Sequence, residues 1–333
     1  MKKIAFKFLS LFIFGVFMMS LMGCNNESGQ TEGRESVRPD FDADQLMFIN
    51  QGNQNLISSQ IWPTFVTADA VYLAIETEIG YNIIRFTDQF SNSETIAELE
   101  GWIARFHVFA DAIYYMVFAE DGEHLYRYDR LIKESVRVVS DITLEVIKDD
   151  LVVHTDVSKS GIYVSSMENG GRMVLIDQTI MNFVIDPPGG RIFFNSPNDE
   201  GNLSLYYSYL DGTNQARLHP DGWDFAFDGN TIAITSRGGF LSTMDTVTGE
   251  LQANNNAFRF HSILFVADYI LGLTLGDNLY LFSLANLNDY SLIAENVMHI
   301  ASTGYSIILK YWDDDNIYHM TLSGEVTPIV IAQ

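Results

Sequence analysis

The stretch ADAIYYMVFAEDGEHLYRYD, residues 110–129, determines the fold class that this chain is expected to adopt. It opens with Ala110-Asp111, a pair typical of tight turns, because Asp bonds its own backbone and tolerates turn geometry. The next seven residues are apolar or aromatic, which indicates a strand covered on both faces. After the polar break at Asp121-Gly122, a second alternating run covers residues 124–128. The stretch therefore predicts consecutive antiparallel strands joined by short turns.

The same pattern recurs along the chain. It aligns without gaps on seven apolar anchor residues that are 37–42 residues apart. These anchors are Val71, Ile113, Leu151, Ile192, Ile232, Ile270 and Ile307. Mostly apolar residues stand nine, seven and five positions before each anchor, and a period of two is that of a strand. Each unit is thus predicted to open with a β-hairpin and to continue with a third and a short fourth strand.

Four antiparallel strands in about 40 residues, packed face to face with their copies, are typical of one β-propeller blade. We predict an all-β chain with a β-propeller of about seven four-stranded blades over residues 45–333. Six or eight blades remain open, because residues 46–50 would supply one more strand. A solenoid is disfavoured, since no terminal unit resembles a polar cap. A β-sandwich is disfavoured as well, because it would not require a seven-fold repeat that keeps the same phase along the chain.

The N-terminal segment has the pattern of an export signal. Lys2, Lys3 and Lys7 precede an uncharged apolar run over residues 8–19, as in signal peptides. A retained transmembrane segment is the alternative, because residues 4–23 are nearly long enough to cross a bilayer. Residues 25–40 are polar and contain no aromatic residue, so they are not expected to form a core.

Residues Leu21-Met22-Gly23-Cys24 resemble the lipobox of bacterial lipoproteins. The resemblance implies that residues 1–23 are a cleaved signal peptide and that Cys24 is the lipid-attachment residue, carrying at least two acyl chains. Two chains hold a protein stably on a membrane. Residues 24–44 would then form a lipidated cysteine with a flexible polar tether. The expected location is the extracytoplasmic side of the cell membrane, with the lipid anchor as the membrane contact.

The chain is strongly acidic, with 43 Asp and Glu residues against 19 Lys and Arg residues and a net charge of −24. Removal of the signal peptide would remove three lysines and no acidic residue, so the mature chain would be more acidic than the full sequence. Such a surface repels nucleic acid, and nucleic-acid binding is excluded as a function. The charge would suit cationic partners or divalent ions, although solubility alone is a sufficient reason for it.

Two units carry a further resemblance. Ile113-Tyr114-Tyr115 is followed by Leu125-Tyr126-Arg127, and Ile192-Phe193-Phe194 is followed by a Leu-Tyr-Tyr run near Asp211-Gly212. These units resemble the bacterial propeller lipoproteins with a YWTD-like domain of the low-density-lipoprotein-receptor type, relatives of the TolB-like propellers. The fifth unit departs from this style with Ile232-Ala233-Ile234. The resemblance runs from about residue 45 to the end and implies a binding domain more than an enzyme.

Motifs of catalysis are absent from the sequence. There is no nucleophile elbow, zinc-protease helix or phosphate-binding loop, and Cys24, the single cysteine, leaves no thiol for catalysis or for a metal. No cofactor and no metal site are predicted. A propeller glycosidase or lyase would need two carboxylates at a set separation, and the many acids of the sequence do not single out a pair.

Four places nevertheless invite inspection. His107 and His261 fall on predicted innermost strands, where converging side chains could bind a metal, although a histidine bonded within the fold is the simpler interpretation. The runs Asp313-Asp314-Asp315-Asn316 and Asn198-Asp199-Glu200-Gly201-Asn202 carry oxygen ligands that suit calcium. Both lack the pattern of a calcium loop, which favours solvated turns.

The leading hypothesis is a non-enzymatic binding or scaffold lipoprotein that presents a propeller face to a protein, a peptide or a glycan. The alternative is an envelope polysaccharide hydrolase or lyase with acids in the central channel. A solute receptor for a transporter is a third possibility, disfavoured because helical periodicity is nearly absent. Catalytic residues remain unknown at this stage.

Overall fold

The computed structural model describes residues 64–67, 70–87, 90–148, 151–167, 171–186, 189–314 and 316–329. In these ranges the chain forms strands β1 to β28 and no helix. The strands make seven antiparallel sheets of four, each built from consecutive strands in sequence order. The chain is a seven-bladed β-propeller, which confirms the predicted fold class. Within the same ranges, no helix has the length and apolar character needed to cross a membrane.

The strand bounds of the seven blades are as follows. Blade 1 contains β1 (Thr64–Val66), β2 (Val71–Glu76), β3 (Gly80–Thr87) and β4 (Asn92–Glu100). Blade 2 contains β5 (Trp102–Val108), β6 (Ala112–Ala119), β7 (Gly122–Asp129) and β8 (Glu134–Ser140). Blade 3 contains β9 (Ile142–Lys148), β10 (Leu151–Asp156), β11 (Ile162–Ser166) and β12 (Arg172–Ile176). Blade 4 contains β13 (Asn182–Asp186), β14 (Arg191–Pro197), β15 (Leu203–Tyr209) and β16 (Ala216–His219). Blade 5 contains β17 (Asp224–Phe227), β18 (Thr231–Thr235), β19 (Leu241–Asp245) and β20 (Leu251–Asn255). Blade 6 contains β21 (Phe260–Val266), β22 (Tyr269–Thr274), β23 (Leu279–Ser283) and β24 (Asn286–Ala294). Blade 7 contains β25 (Val297–Ser302), β26 (Ile307–Tyr311), β27 (Ile317–Met320) and β28 (Val326–Pro328).

The first strand of each blade is the innermost. First strands of neighbouring blades contact one another, as β17 does with β21 and β21 with β25. All five residues of β13 are buried, whereas all three residues of β28 are exposed. The fourth strands therefore form the outer rim of the ring.

The core consists of seven apolar clusters, each shared by two neighbouring blades. Blade 4 shows how one sheet serves two clusters. Phe183 and Ile185 pack against blade 3, whereas Val184 and Phe193 pack against blade 5. Successive residues of a strand point to opposite faces. This alternation is why the sequence is apolar on both faces of these strands.

The seventh cluster closes the ring. It joins Ile84 and Phe86 of blade 1 to Ala301, Ile308 and Ile317 of blade 7. In the described part of the chain, both blades are built from contiguous segments, so side-chain packing joins the first blade to the last. Residues 46–50, considered above as an additional strand, lie outside the described residues, as do the signal peptide, Cys24 and the tether.

The gapless alignment of the repeats is correct in five blades and wrong in two. In blade 5, as in blades 1, 2, 6 and 7, the anchor pairs with the residue five positions before it, here Ile232 with Phe227. In blade 3 the residue in this role is Val152, which pairs with Ile147. A shift of one residue reverses the face, and the proposed anchor Leu151 accordingly packs toward blade 4.

In blade 4 the error concerns the length of the hairpin. The anchor Ile192 pairs with Ile185, seven positions earlier. The first hairpin of blade 4 is therefore two residues longer than in blade 5. Ile192 still packs toward the preceding blade, because an insertion of two residues preserves the alternation of faces.

Candidate functional site

The innermost strands all begin at one end of the ring, here called the start face. Because antiparallel strands alternate in direction, the connections between blades and the loops between second and third strands also lie on the start face. The first hairpin turns of the blades lie on the opposite face. The residues that begin the innermost strands therefore surround one mouth of the propeller.

Four innermost strands carry a register shift close to this mouth, and in β9 it lies between Ile142 and Glu145. The register shifts at Ala104 in β5, at His261 in β21 and at Met298 in β25. A bulge bends the strand and turns a side chain away from the regular pattern. His261 is accordingly exposed, although its strand is otherwise largely buried.

Polar side chains occupy one common position on four consecutive blades. Each directly precedes a buried apolar residue that faces the preceding blade, such as Phe225 or Ile263. We call these four residues the polar arc: Asn182 of blade 4, Asp224 of blade 5, Ser262 of blade 6 and His299 of blade 7. The arc thus runs along the start face from blade 4 to blade 7.

Asn182 and Asp224 interact across the boundary between blades 4 and 5. The side chain of Asn182 and the backbone N–H of Phe225 approach the Asp224 carboxyl as hydrogen-bond donors. Burial nevertheless raises the pKa of Asp224 to about 8, because desolvation outweighs both hydrogen bonds. The Asp224 carboxyl is therefore largely protonated at neutral pH.

Several buried polar atoms of this region have no hydrogen-bond partner in the structure. They are Oδ2 of Asp224, Oδ1 of Asn182, Oδ1 of Asn195 and Oγ of Ser262. Asn195 lies beside Asn182 in the ladder, and its Nδ2 donates to the Trp223 carbonyl at 2.9 Å. Buried polar atoms are nearly always paired in folded proteins. Because these atoms have almost no accessible surface, they belong to the polar interior behind the mouth and not to a surface open to a bound molecule.

His299 completes the polar arc as an uncharged group. Burial, with the neighbouring charge of Lys310, lowers its pKa to about 4. At neutral pH the arc consequently presents an amide, a protonated carboxyl, a hydroxyl and a neutral imidazole. The arc is uncharged in a chain whose net charge is −24.

The blade 2 side of the start face is different. The position equivalent to the arc is held by Arg105, and Lys159 and Glu123 lie close enough to affect one another's charge. Burial and the Arg105 charge lower the pKa of Lys159, and Glu123 opposes them. On blade 2 the position equivalent to the arc is therefore charged, unlike the four positions of the arc itself.

Tryptophans also mark the start face. Trp102 begins β5, Trp223 directly precedes β17, and Trp312 directly follows β26. Their exposed fractions are 44%, 41% and 42%. Trp102 is held by an indole hydrogen bond to Tyr81 and by ring contact with Phe118 at 5.9 Å. The fourth tryptophan, Trp62, lies outside the described residues.

The residues proposed from sequence do not converge. His107 and His261 lie on innermost strands, as predicted, but His107 packs edge-on against Phe65 at 5.8 Å in the middle of its strand. His261 is exposed at the mouth. Among the described residues, no three His, Cys, Asp or Glu side chains are grouped to hold a metal ion. Cys24 cannot be placed, because it lies outside the described ranges.

Both acidic runs form turns where they are described. Asp314 accepts hydrogen bonds from the Asn316 backbone at 2.9 Å and from the Tyr318 hydroxyl. Asn198 Oδ1 accepts the backbone N–H groups of Glu200 and Asn202, each at 3.0 Å. These oxygens are engaged within their own loops, as the turn interpretation expects.

The comparisons with known proteins show the fold alone. No family model matches the chain, and no curated protein matches it. A puromycin hydrolase mutant is 10% identical with a TM-score of 0.58, covering 88% of this chain and 56% of its own. The chain thus spans just over half of that protein.

Two further solved structures are similar. The computationally designed Ika8 protein is 12% identical with a TM-score of 0.52, covering 84% of this chain and 87% of its own. TolB from Acinetobacter baumannii is 15% identical with a TM-score of 0.45, covering 77% and 78%. At these identities the likeness extends no further than the propeller architecture.

The polar arc was not predicted from the sequence. A signal was present, since Asp224 and Ser262 share the position eight residues before their anchors and break an otherwise apolar pattern. Asn182 was displaced from that position by the longer hairpin of blade 4. Histidines were chosen as candidates because of their residue type. Asn and Ser stand out only when their burial is known, because a buried polar group is costly unless it is hydrogen-bonded.

Proposed function

We propose that this protein is a lipid-anchored binding protein on the extracytoplasmic side of the cell membrane, and that its ligand binds at the start face. The observation that carries the binding function is the set of half-exposed tryptophans on the start face, Trp102, Trp223 and Trp312. Exposed aromatic rings beside polar side chains are common in ligand sites. The anchor and the location rest on the lipobox-like residues and Cys24.

The binding function is tested with the full chain in mild detergent as bait for solubilised envelope material, followed by mass spectrometry of proteins and glycans. Wild type is expected to retain a ligand that the Trp223→Ala variant, which lacks a half-exposed ring of the start face, loses. Tyr305→Ala, a change of an 84% exposed side chain on the opposite face, is the control. Equal retention by all three forms would show that binding does not use Trp223.

The anchor is tested independently by fractionation of cells and by labelling with an alkyne fatty acid. Wild type is expected in the membrane fraction with label, and Cys24→Ala is expected to lose the label because it lacks the thiol. A Cys24→Ala protein that remains membrane-bound as tightly as wild type would favour the retained transmembrane segment instead.

An envelope polysaccharide hydrolase or lyase is the second candidate. Its support is Asp224, since a carboxylic acid that stays protonated at neutral pH is suited to act as a general acid. Products released from polysaccharides by wild type, and abolished in Asp224→Asn, would replace the binding function with this one.

A further inference from the structure

We propose that the start face binds a positively charged segment of a partner protein through an exposed patch of apolar side chains on blades 1 and 2. This aromatic patch consists of Ile79, Trp102 and Phe118. An apolar side chain of the segment packs on the patch, and its cations lie among the carboxylates that surround it. The inference rests on the proposed binding function and names the class of partner. A protein partner held in this way can also cover Trp223 on the same face.

The three residues of the aromatic patch are neighbours on the start face. Trp102 is the ladder partner of Phe118, and their ring centroids are 5.9 Å apart. Ile79 lies in the turn between β2 and β3, and its carbonyl accepts the backbone N–H of Gly101 at 3.5 Å. The exposed fractions of Ile79, Trp102 and Phe118 are 77%, 44% and 45%. Exposed apolar side chains grouped in this way are typical of a protein interaction site.

The central ring of the patch is fixed before a partner binds. The indole of Trp102 is hydrogen-bonded to Tyr81, a buried residue of β3, and the ring also contacts Phe118. Little conformational entropy is lost when a partner contacts a side chain that is already ordered. Tryptophans supported in this way commonly supply a large part of the binding energy of a protein interface.

Carboxylates surround the aromatic patch. Glu76 is the ladder partner of Tyr81. Burial raises the pKa of the Tyr81 hydroxyl to about 12, and the nearby charge of Glu76 adds to this effect. The Glu76 carboxylate is therefore close to the residue that holds Trp102. Three further exposed carboxylates stand within two residues of the patch in sequence: Glu78, Glu100 and Glu120.

Positive charges are few in this region. Residues 76–121 contain nine Asp and Glu residues and two Arg residues. One of them, Arg85, is paired with Glu94 at 3.0 Å. The other, Arg105, lies near Lys159 of blade 3 and Glu123. The patch consequently has acidic surroundings in a chain whose net charge of −24 attracts cations from a distance. A cation placed over the Trp102 ring would be attracted by the ring face as well.

The same charges disfavour the other common occupants of an exposed apolar patch. A second copy of the chain would bring its own net charge of −24 to these carboxylates, and like charges repel. Anionic lipid headgroups are repelled for the same reason. A purely apolar partner would cover carboxylates without supplying counter-charges, which is costly. A protein segment with both apolar and basic side chains satisfies the rings and the carboxylates together.

The test is the binding of four synthetic peptides of equal length to the full chain in mild detergent, measured by fluorescence anisotropy. One peptide combines Lys and Leu. In the other three, Lys is replaced by Ser, Lys is replaced by Glu, or Leu is replaced by Ser. Wild type is expected to bind the Lys-Leu peptide about tenfold more tightly than each of the others. Added salt is expected to weaken this binding, because salt screens exposed charges.

Two variants locate the binding on the patch. Trp102→Ala is expected to bind the Lys-Leu peptide about tenfold more weakly, because it lacks the central ring. Glu76→Gln is expected to bind it about two- to fivefold more weakly, since a single exposed charge contributes little. Circular dichroism confirms that each variant is folded.

Each variant has a matched control. Glu250→Gln removes the same charge from an exposed position in the turn between β19 and β20, which lies on the opposite face. Tyr305→Ala removes an aromatic ring that is 84% exposed, also from the opposite face. Both controls are expected to bind the Lys-Leu peptide as wild type does.

Two results would overturn the inference. One is a wild type that binds any of the other three peptides as tightly as the Lys-Leu peptide, or that binds none of the four. The other is Lys-Leu binding that is unchanged in both Trp102→Ala and Glu76→Gln, since the peptide would then follow the overall charge of the chain. Either result leaves the proposed binding function intact if envelope material still contains a ligand whose retention depends on Trp223.

Discussion

The Asp224 carboxyl is enclosed where blades 4 and 5 meet, and burial raises its pKa to about 8. In the unfolded chain an aspartate titrates near pH 4. Between these values the folded state keeps a proton that the unfolded state has released. The resulting stabilisation is complete below about pH 4 and is lost as the pH rises through about 8.

Asp224→Asn should remove this pH dependence, because an amide of similar size cannot ionise. At pH 9 the variant is expected to be more stable than wild type by about 1–3 kcal/mol, since wild type must bury an anion or unfold. Urea unfolding at pH 6 and pH 9 measures the difference. Asp268→Asn, at an exposed position, is the control, and an equal effect of Asp224→Asn at both pH values would contradict the raised pKa.

A buried ion pair lies within blade 4 at the opposite face, and its arginine also bonds to blade 5. Arg191 donates to Asp186 at 3.0 Å and to the Thr246 carbonyl of blade 5. The two side chains are 16% and 3% exposed. A buried charge without its partner is costly, although the intact pair contributes little by itself.

Asp186→Ala should therefore destabilise the protein by about 3–5 kcal/mol, measured as the free energy of unfolding in urea. The control is Asp111→Ala, which breaks the 3.1 Å ion pair with Arg127, in which Asp111 is 78% exposed. Exposed pairs are screened by water, so this change should cost much less. Similar losses from both variants would show that the Asp186 pair is not buried in solution.

At the scale of elements, the shortest turns between blades depend on a left-handed backbone. Gly101, with φ of 89°, is the only residue between β4 and β5. Asp141, with φ of 59°, has the same place between β8 and β9. One residue is enough to reverse the chain and begin a new sheet only because it adopts this conformation.

Gly101→Ala should destabilise the protein by about 1 kcal/mol or more, because alanine resists positive φ. The added Cβ would also lie 3.0 Å from Val117 Cγ1. Gly276→Ala is the control, since it has ordinary φ and its nearest neighbour, Thr274 Oγ1, is 3.9 Å away. Thermal unfolding compares the two, and equal midpoints would show that the turn tolerates a side chain.

The elements also show what local sequence can and cannot predict. The hairpins and the number of blades followed from a strand period of two and a repeat of 37–42 residues, both of which are local patterns. The phase of blades 3 and 4 did not, because hairpin length varies and a gapless alignment has no place for two extra residues. The arc was hidden for a further reason: Asn182 and Asp224 meet only when separate blades pack.

At the scale of the whole molecule, the contact between blades 1 and 7 completes the ring. Phe86, 1% exposed, lies in this closing cluster. Phe193, fully buried, lies in the cluster between blades 4 and 5. In a closed ring the two clusters are equivalent parts of one core.

Phe86→Ala and Phe193→Ala should therefore be similarly destabilising, each by about 3–5 kcal/mol. Urea unfolding followed by tryptophan fluorescence provides both values and shows whether one transition remains. A Phe86→Ala variant within about 1 kcal/mol of wild type, beside a damaged Phe193→Ala, would mean that the ring opens at the closing cluster.

Closure between the first and last blades also sets the order in which the protein can be completed. Synthesis proceeds from the N-terminus, so Ile84 and Phe86 of blade 1 are made long before Ile308 and Ile317, which cover them. This side of blade 1 stays uncovered until nearly the entire chain has been synthesised. Exposed apolar surface of this kind promotes aggregation. A chain truncated near its C-terminus, by a stop codon or a protease, would therefore expose apolar surface on its first and last blades instead of forming a smaller ring. We expect a cell to degrade such a chain.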